Sequence, residues 1–97
     1  MKTITVVATF EARPSKEAEL KKALTGLVTP TRQEAGCINY DLHASPVDPA
    51  KFLFYENWTG KAALDAHRQS PHIQKLLPLV AELCVAFPEI NIWEKIG

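Results

Sequence analysis

No run of apolar residues in this sequence approaches the roughly 20 that a membrane span requires, so a membrane-embedded role finds no support. Neither sign of charge is in excess: lysine plus arginine and aspartate plus glutamate stand at 11 each. A chain without a basic surplus lacks the counterion release that drives nucleic-acid binding, and it lacks a polybasic face for anionic lipid. Small molecules and other protein chains are left as ligands. The four glycines, Gly26, Gly36, Gly60 and Gly97, form no phosphate-cradling loop, and no serine stands in a Gly-x-Ser-x-Gly elbow. Nucleotide cofactors and acyl transfer are therefore unsupported. Two cysteines, Cys37 and Cys84, lie far apart with no Cys-x-x-Cys pair. They make neither a disulfide framework nor a zinc pattern, and their apolar surroundings read as those of buried, reduced thiols. The opening MKTITVVATF has the lysine and apolar run of a signal peptide. The run is broken by threonines, though, and leads into Glu11-Ala12-Arg13 instead of a small-residue cleavage site. The cytoplasm is the expected location.

The residues present are those of a globular domain: 46% hydrophobic and 23% charged over 97 positions. The expectation is one domain, 1–97, small enough to gain from burial against a second copy. Residues 3–11 read as a strand, with Ile4, Val6, Ala8 and Phe10 alternating with Thr3, Thr5, Val7 and Thr9. After Pro14, Ser15 is a suitable N-cap for a helix whose Leu20, Ala23, Leu24, Leu27 and Val28 form one apolar stripe. Pro30 should shorten or kink its end, the last turn can resume through Thr31–Glu34, and Gly36 should close it. Residues 37–44 (Ile38, Tyr40 and Leu42 on one face) and 51–58 read as a hairpin pair around the Ser45-Pro46-Val47-Asp48-Pro49 loop. A short helix over about 60–69 precedes Ser70-Pro71, which starts another with Ile73, Leu76, Leu77, Val80 and Cys84 on its stripe. Pro88 ends it, and residues 89–96 form a last strand with Ile90, Ile92 and Ile96 on one face.

This order, βαββαβ with the second helix doubled, predicts an α+β, ferredoxin-like fold: an antiparallel four-stranded sheet with helices on one face. In the third strand Phe52, Phe54, Glu56 and Trp58 point one way, while Leu53 and Tyr55 point the other, with Val7 and Trp93 on that same outer parity. A sheet apolar on both faces calls for a second cover, and a homodimer packed through the sheet face, of the dimeric α/β-barrel type, is the simplest.

Three side chains stand out for chemistry. Glu56 shares a strand face with three aromatic residues. A carboxylate there is either a base or the orienter of one, or it caps or pairs with the short helix. His67 lies on the inward stripe of the short helix, at i+4 and i+3 from Ala63 and Leu64, where it can share a cavity with Glu56, Trp58 and Tyr40. His72, just inside the next helix, would be held neutral by the positive helix end, as a structural residue or a secondary donor. His43 is expected at the surface. No metal is expected: the spacing of His67 and His72 across a helix break is not that of a helical zinc pair, and no third histidine or cysteine is near.

The stretch "EAGCINYDLHASPVDPAKFLFYENWTGKAALDAHRQSPHIQKL", residues 34–76, resembles the antibiotic biosynthesis monooxygenase family. Glu34, Gly36, Cys37, Tyr40, Glu56, Trp58, Leu64, His67, Ser70 and His72 match its pattern of Glu-x-Gly-Cys-x-x-Tyr, Glu-x-Trp, a helix ending in His, and Ser/Thr-Pro-His. Small bacterial quinol-monooxygenase-like members look nearest. The resemblance implies a ferredoxin-like homodimer that oxidises small aromatic quinols or phenols with O2, using no metal, flavin or haem cofactor. On that reading His67, supported by Glu56, is the base; Phe52, Phe54 and Trp58 line a slot; Tyr40 and His72 are donors. The family also holds haem degraders, isomerases and members without known activity. Haem degraders carry Asn in the first strand, Trp in place of His67 and a ligating His near position 77, where this chain has Val7 or Ala8, His67 and Leu77. That departure argues against haem. An isomerase or other proton-transfer enzyme, and a non-catalytic small-molecule-binding dimer, are the alternatives.

Overall fold

A computed structural model describes residues 2–97. The elements run β1 (Ile4–Glu11), α1 (Glu17–Thr25), α2 (Val28–Arg32), β2 (Cys37–Ala44), β3 (Lys51–Trp58), α3 (Lys61–Arg68), α4 (Pro71–Leu83) and β4 (Glu89–Glu94). The strands form one antiparallel sheet in the order β2-β3-β1-β4. This is the expected ferredoxin-like architecture, and the hydrophobic alternation determines which face the helices cover. Along β3 burial alternates residue by residue, so Phe52, Phe54, Glu56 and Trp58 face inward. They meet Val6, Ala8 and Phe10 of β1 and Tyr40 of β2 on one side, and Leu20, Leu24, Leu64, Leu76, Val80 and Leu83 of the helices on the other. Register fixes the cross-strand rows: Glu56 stands between Val6 and Tyr40.

Several local expectations are corrected. Ser15 caps nothing; it takes a positive φ of 68° in the turn before α1, and Lys16 occupies the N-cap position. The first helix divides, with Pro30 inside a separate one-turn α2. A bulge between Cys37 and Asn39 turns Ile38 out to solvent. Leu77 is exposed, so the α4 stripe consists of Leu76, Val80 and Leu83. Cys84 lies past the helix end, in extended backbone, where it bridges to Ala12 and is buried. β4 is the edge strand beyond the reach of the helical layer. Ile90 and Ile92 pair with Ala8 and Val6 on the inner parity yet stay exposed, and Ile96 is fully exposed. The outer sheet face is mixed rather than apolar. Thr5, Asn57, Asn39 and Asp41 form a hydrogen-bonded ladder across it, beside Tyr55 and Trp93.

Gly36 does not end a helix in left-handed backbone, since no glycine lies in the left-handed φ region. Its role is close approach, because α3 presses on the start of β2 there. A Cβ at this position would run into Ala63 Cβ, and would lie 3.0 Å from Thr59 Oγ1 and 3.3 Å from Ala63 Cα. Thr59 also donates its backbone N–H to the Gly36 carbonyl at 2.9 Å, which ties the two segments together. Gly36→Ala should therefore destabilise by about 1–3 kcal/mol, the usual cost of overpacking, read as a lower urea midpoint. An unchanged midpoint would mean that α3 can move aside.

No helix among the described residues is long and apolar enough to cross a membrane.

Candidate functional site

Three chain segments converge at one end of the helical layer. The turn after α2 carries Glu34, the last turn of α3 carries His67, and the first turn of α4 carries His72. Glu34 Oε2 lies 2.8 Å from His67 Nδ1 and 2.7 Å from His72 Nε2. An ionised carboxylate only accepts hydrogen bonds, so both ring nitrogens donate to the same oxygen. That assigns the tautomers: His67 carries its proton on Nδ1 and His72 on Nε2, leaving His67 Nε2 and His72 Nδ1 with free lone pairs. The Glu34 and His67 side chains are only 17% and 7% exposed, so these are shielded, charge-assisted bonds rather than surface pairs.

Ser70 fills the N-cap position of α4 as the sequence suggests, but its hydroxyl makes no capping bond. It donates to the His67 carbonyl at 2.6 Å and lies 3.2 Å from His72 Nε2. Ser70-Pro71 thus both starts the helix and joins the two histidines. Burial holds the His67 imidazole below its ordinary pKa, while Glu34 pulls the other way. Burial is the larger cause, so the ring is neutral and able to accept a proton at neutral pH.

Behind His67 stands an aromatic wall. The Trp58 ring is 4.5 Å from the imidazole and Tyr40 meets it edge-on at 5.5 Å. Phe54 stacks on Tyr40 at 4.3 Å. Glu56 is brought into this wall but not onto His67; its Oε1 accepts the Trp58 Nε1–H at 2.9 Å. The expected His67–Glu56 support is corrected to His67–Glu34, and Glu56 holds Trp58 instead. Burial raises the Glu56 carboxyl to about 7, against the lowering effect of its bond to Trp58. Burial also raises the Tyr40 phenol, with Glu56 adding to the effect, so Tyr40 stays protonated throughout the ordinary pH range. Thr31, fully buried, brings its hydroxyl near that phenol without closing a hydrogen bond to it.

The expected slot is not open between Phe54 and Trp58, which are packed shut at 1% and 0% exposure. Phe52 is not part of this site. It lies six positions along β3 from Trp58, roughly 20 Å away at strand rise, and lines a cleft of about 560 Å³ with Phe10, Leu53 and Phe87 at the opposite end of the sheet. The site opens elsewhere: His72 borders a groove of about 580 Å³ between α1 and α4, walled by Ala23, Leu27, Leu76 and Leu79. His43 is exposed and apart from the cluster, as expected.

Glu34 is the residue that local sequence reasoning missed. It was visible as a position of the family pattern, but it sits in a turn, where a carboxylate is ordinarily solvated. Its partners are 33 and 38 positions away, so no periodicity links them.

Residues 3–78 match the family model described as antibiotic biosynthesis monooxygenase. The chain is 39% identical over 80 residues to the Mycobacterium tuberculosis protein named "Putative monooxygenase Rv0793", covering 82% of this chain and 78% of that one. The crystal structure of Rv0793 superposes with a TM-score of 0.92 at 33% identity, covering 98% of this chain and 96% of the other. That of PA3566 from Pseudomonas aeruginosa superposes with a TM-score of 0.95 at 31% identity, covering 100% and 97%. With the family pattern spanning both histidines and Glu34, and the fold superposing end to end, the chain belongs to the antibiotic biosynthesis monooxygenase family.

Proposed function

We propose that this protein is a cofactor-independent monooxygenase of small aromatic quinols or related phenols, with His67 as the base and Glu34 as its orienting carboxylate. The observation that carries this is the shared Glu34 oxygen: it fixes the His67 proton on Nδ1 and so presents Nε2 as the acceptor. An electron-rich quinol or anthrone is itself the reductant, so the protein's part is to bind, orient and move protons. The substrate gives a proton to His67 Nε2. The resulting anion transfers one electron to O2, and the two radicals join as a carbon-bound peroxide. The proton returns to the outer oxygen, giving a hydroperoxide. His67 Nε2 then takes the remaining hydrogen of that carbon as a proton while the O–O bond breaks, the carbon becomes a carbonyl, and the departing hydroxide picks up that proton and leaves as water. Two hydrogens leave the substrate, both from the carbon of an anthrone or one from carbon and one from a phenol oxygen of a quinol, and one oxygen atom arrives; the four electrons lost by the substrate reduce O2. Tyr40, always protonated, is the donor to the oxyanion, while His72 gives its Nε2–H to Glu34 and so helps to hold that carboxylate in place. Trp58, held by Glu56, positions the imidazole, with Phe54 backing Tyr40. The substrate enters by the α1–α4 groove beside His72. Oxygen uptake with a panel of hydroquinones and anthrones tests the proposal. Uptake above the uncatalysed rate is expected; none across the panel would sink it, and catalysed deuterium exchange under anaerobic conditions would favour an isomerase instead.

The same proposal includes a homodimer. Tyr55 and Trp93, 43% and 58% exposed on the outer face, together with the uncovered β4 edge, supply the apolar surface for a second copy. Light scattering should give twice the chain mass, and Trp93→Asp should shift it toward the monomer. A monomeric wild type would refute it.

A further inference from the structure

We propose that Glu34, His67 and His72 also form a binding site for a divalent transition-metal ion such as Zn2+, and that the ion and the base at His67 exclude each other. The count of possible ligands is three, not two: Glu34 Oε2, His67 Nδ1 and His72 Nε2 all lie within 4.8 Å of one another. Two imidazoles and one carboxylate are a ligand set used by open zinc sites, with a fourth position left for water. In a tetrahedral site with bonds of about 2.0–2.2 Å, the ligand atoms lie roughly 3.3–3.5 Å apart. The present 2.7 and 2.8 Å hydrogen bonds need to open by roughly 0.5–0.8 Å to admit the ion. The ligands come from three separate segments and are already converged, so binding requires no refolding. An ion has a way in, because His72 borders the α1–α4 groove. The Ser70 hydroxyl, 3.2 Å from His72 Nε2, stands beside the ligands as a partner for metal-bound water.

The tautomer makes the consequence specific. Without the ion, Glu34 keeps the His67 proton on Nδ1, and Nε2 is free to accept. Coordination through Nδ1 requires a lone pair there, so the ring proton must move to Nε2. Nε2 then becomes a donor and can no longer take a proton from a substrate. The effect on catalysis rests on the function proposed above; the binding and the tautomer change do not.

The test uses the whole chain, stripped with EDTA and dialysed. Calorimetric titration with ZnSO4 should show one saturable ion per chain. Glu34→Ala and His72→Ala, with folding verified by circular dichroism, should each weaken binding by more than about tenfold, the least that removing even an outer partner of a bound ion costs. His43→Ala should bind as the wild type does. Absence of saturable uptake, or unchanged affinity in both variants, would overturn the site. Nitrogen-15 spectra of the imidazoles should show the His67 proton moving from Nδ1 to Nε2 on zinc addition; a proton that stays on Nδ1 would overturn the exclusion. With an oxidisable quinol, zinc should abolish oxygen uptake and EDTA should restore it. Calorimetry and the spectra decide the site even where no quinol is oxidised, so failure of the function and failure of the site can be told apart.

Discussion

His67→Ala should lower quinol-dependent oxygen uptake by about 10²–10⁴-fold, the range that a positioned general base supplies. Glu34→Gln should also lower it, by less. The amide oxygen introduced there can still accept from both imidazoles, but it carries no charge, so the charge-assisted bonds that hold the His67 proton on Nδ1 and stabilise the ring once it takes a proton are weakened. His72→Phe separates the roles further: it leaves the His67–Glu34 bond in place and removes only the second donor to Glu34, so most of the loss should remain attached to His67. The measurement is kcat from an oxygen electrode under saturating quinol, with circular dichroism confirming that each variant folds. His67→Ala at full rate would remove the base assignment even if the enzyme proved active. The same rate in Glu34→Gln as in the wild type would show that His67 needs no orienting carboxylate.

Glu56→Gln should make the protein more stable above neutral pH. Glu56 is 4% exposed, and burial raises its carboxyl from the 4.5 of a free side chain to about 7. Arg68 of α3 favours the charged form and Glu34 disfavours it, but neither offsets burial. The folded state thus holds a proton that the unfolded state releases between pH 4.5 and about 7. Stability follows the difference in bound protons, so this contribution is full below pH 4.5, declines as pH rises through about 7, and is absent above it. The total is about 3 kcal/mol at 1.36 kcal/mol for each pH unit. The substituted amide keeps an acceptor for the Trp58 indole while removing the titration. The variant and the wild type should therefore coincide near pH 4 and part by up to about 3 kcal/mol at pH 8, a melting difference on the order of 10 °C for a domain of this size. Urea unfolding at fixed protein concentration across this range checks it. Parallel stability curves would show that Glu56 does not carry a buried proton.

Glu56 and its aromatic neighbours were legible from a period of two, because a strand places alternate residues on one face whatever lies around it. That alternation gave β3, its inward face and the buried carboxylate. Where the periodic signal met an edge or an irregularity it failed. Ile90 and Ile92 have inward parity, but β4 lies outside the helical cover. Ile38 falls at a bulge that changes the parity of β2. Gly36 reads as a helix stop in sequence, whereas its actual demand is the nearness of Ala63, a contact between distant segments.

The site itself divides along the same line. By itself the sequence determined the element order, the inward faces of β1 and β3, and the placing of His67 on a buried helical stripe, since each follows from local spacing. Only the tertiary structure decided which carboxylate serves that histidine. Glu56 is the nearer candidate by pattern, yet the strand directs it to Trp58. Glu34, in a turn with no periodicity of its own, is brought to both histidines by the packing of three segments distant in sequence. Spacing fixes where a side chain points along its own element; which groups meet between elements depends on how the helices settle on the sheet.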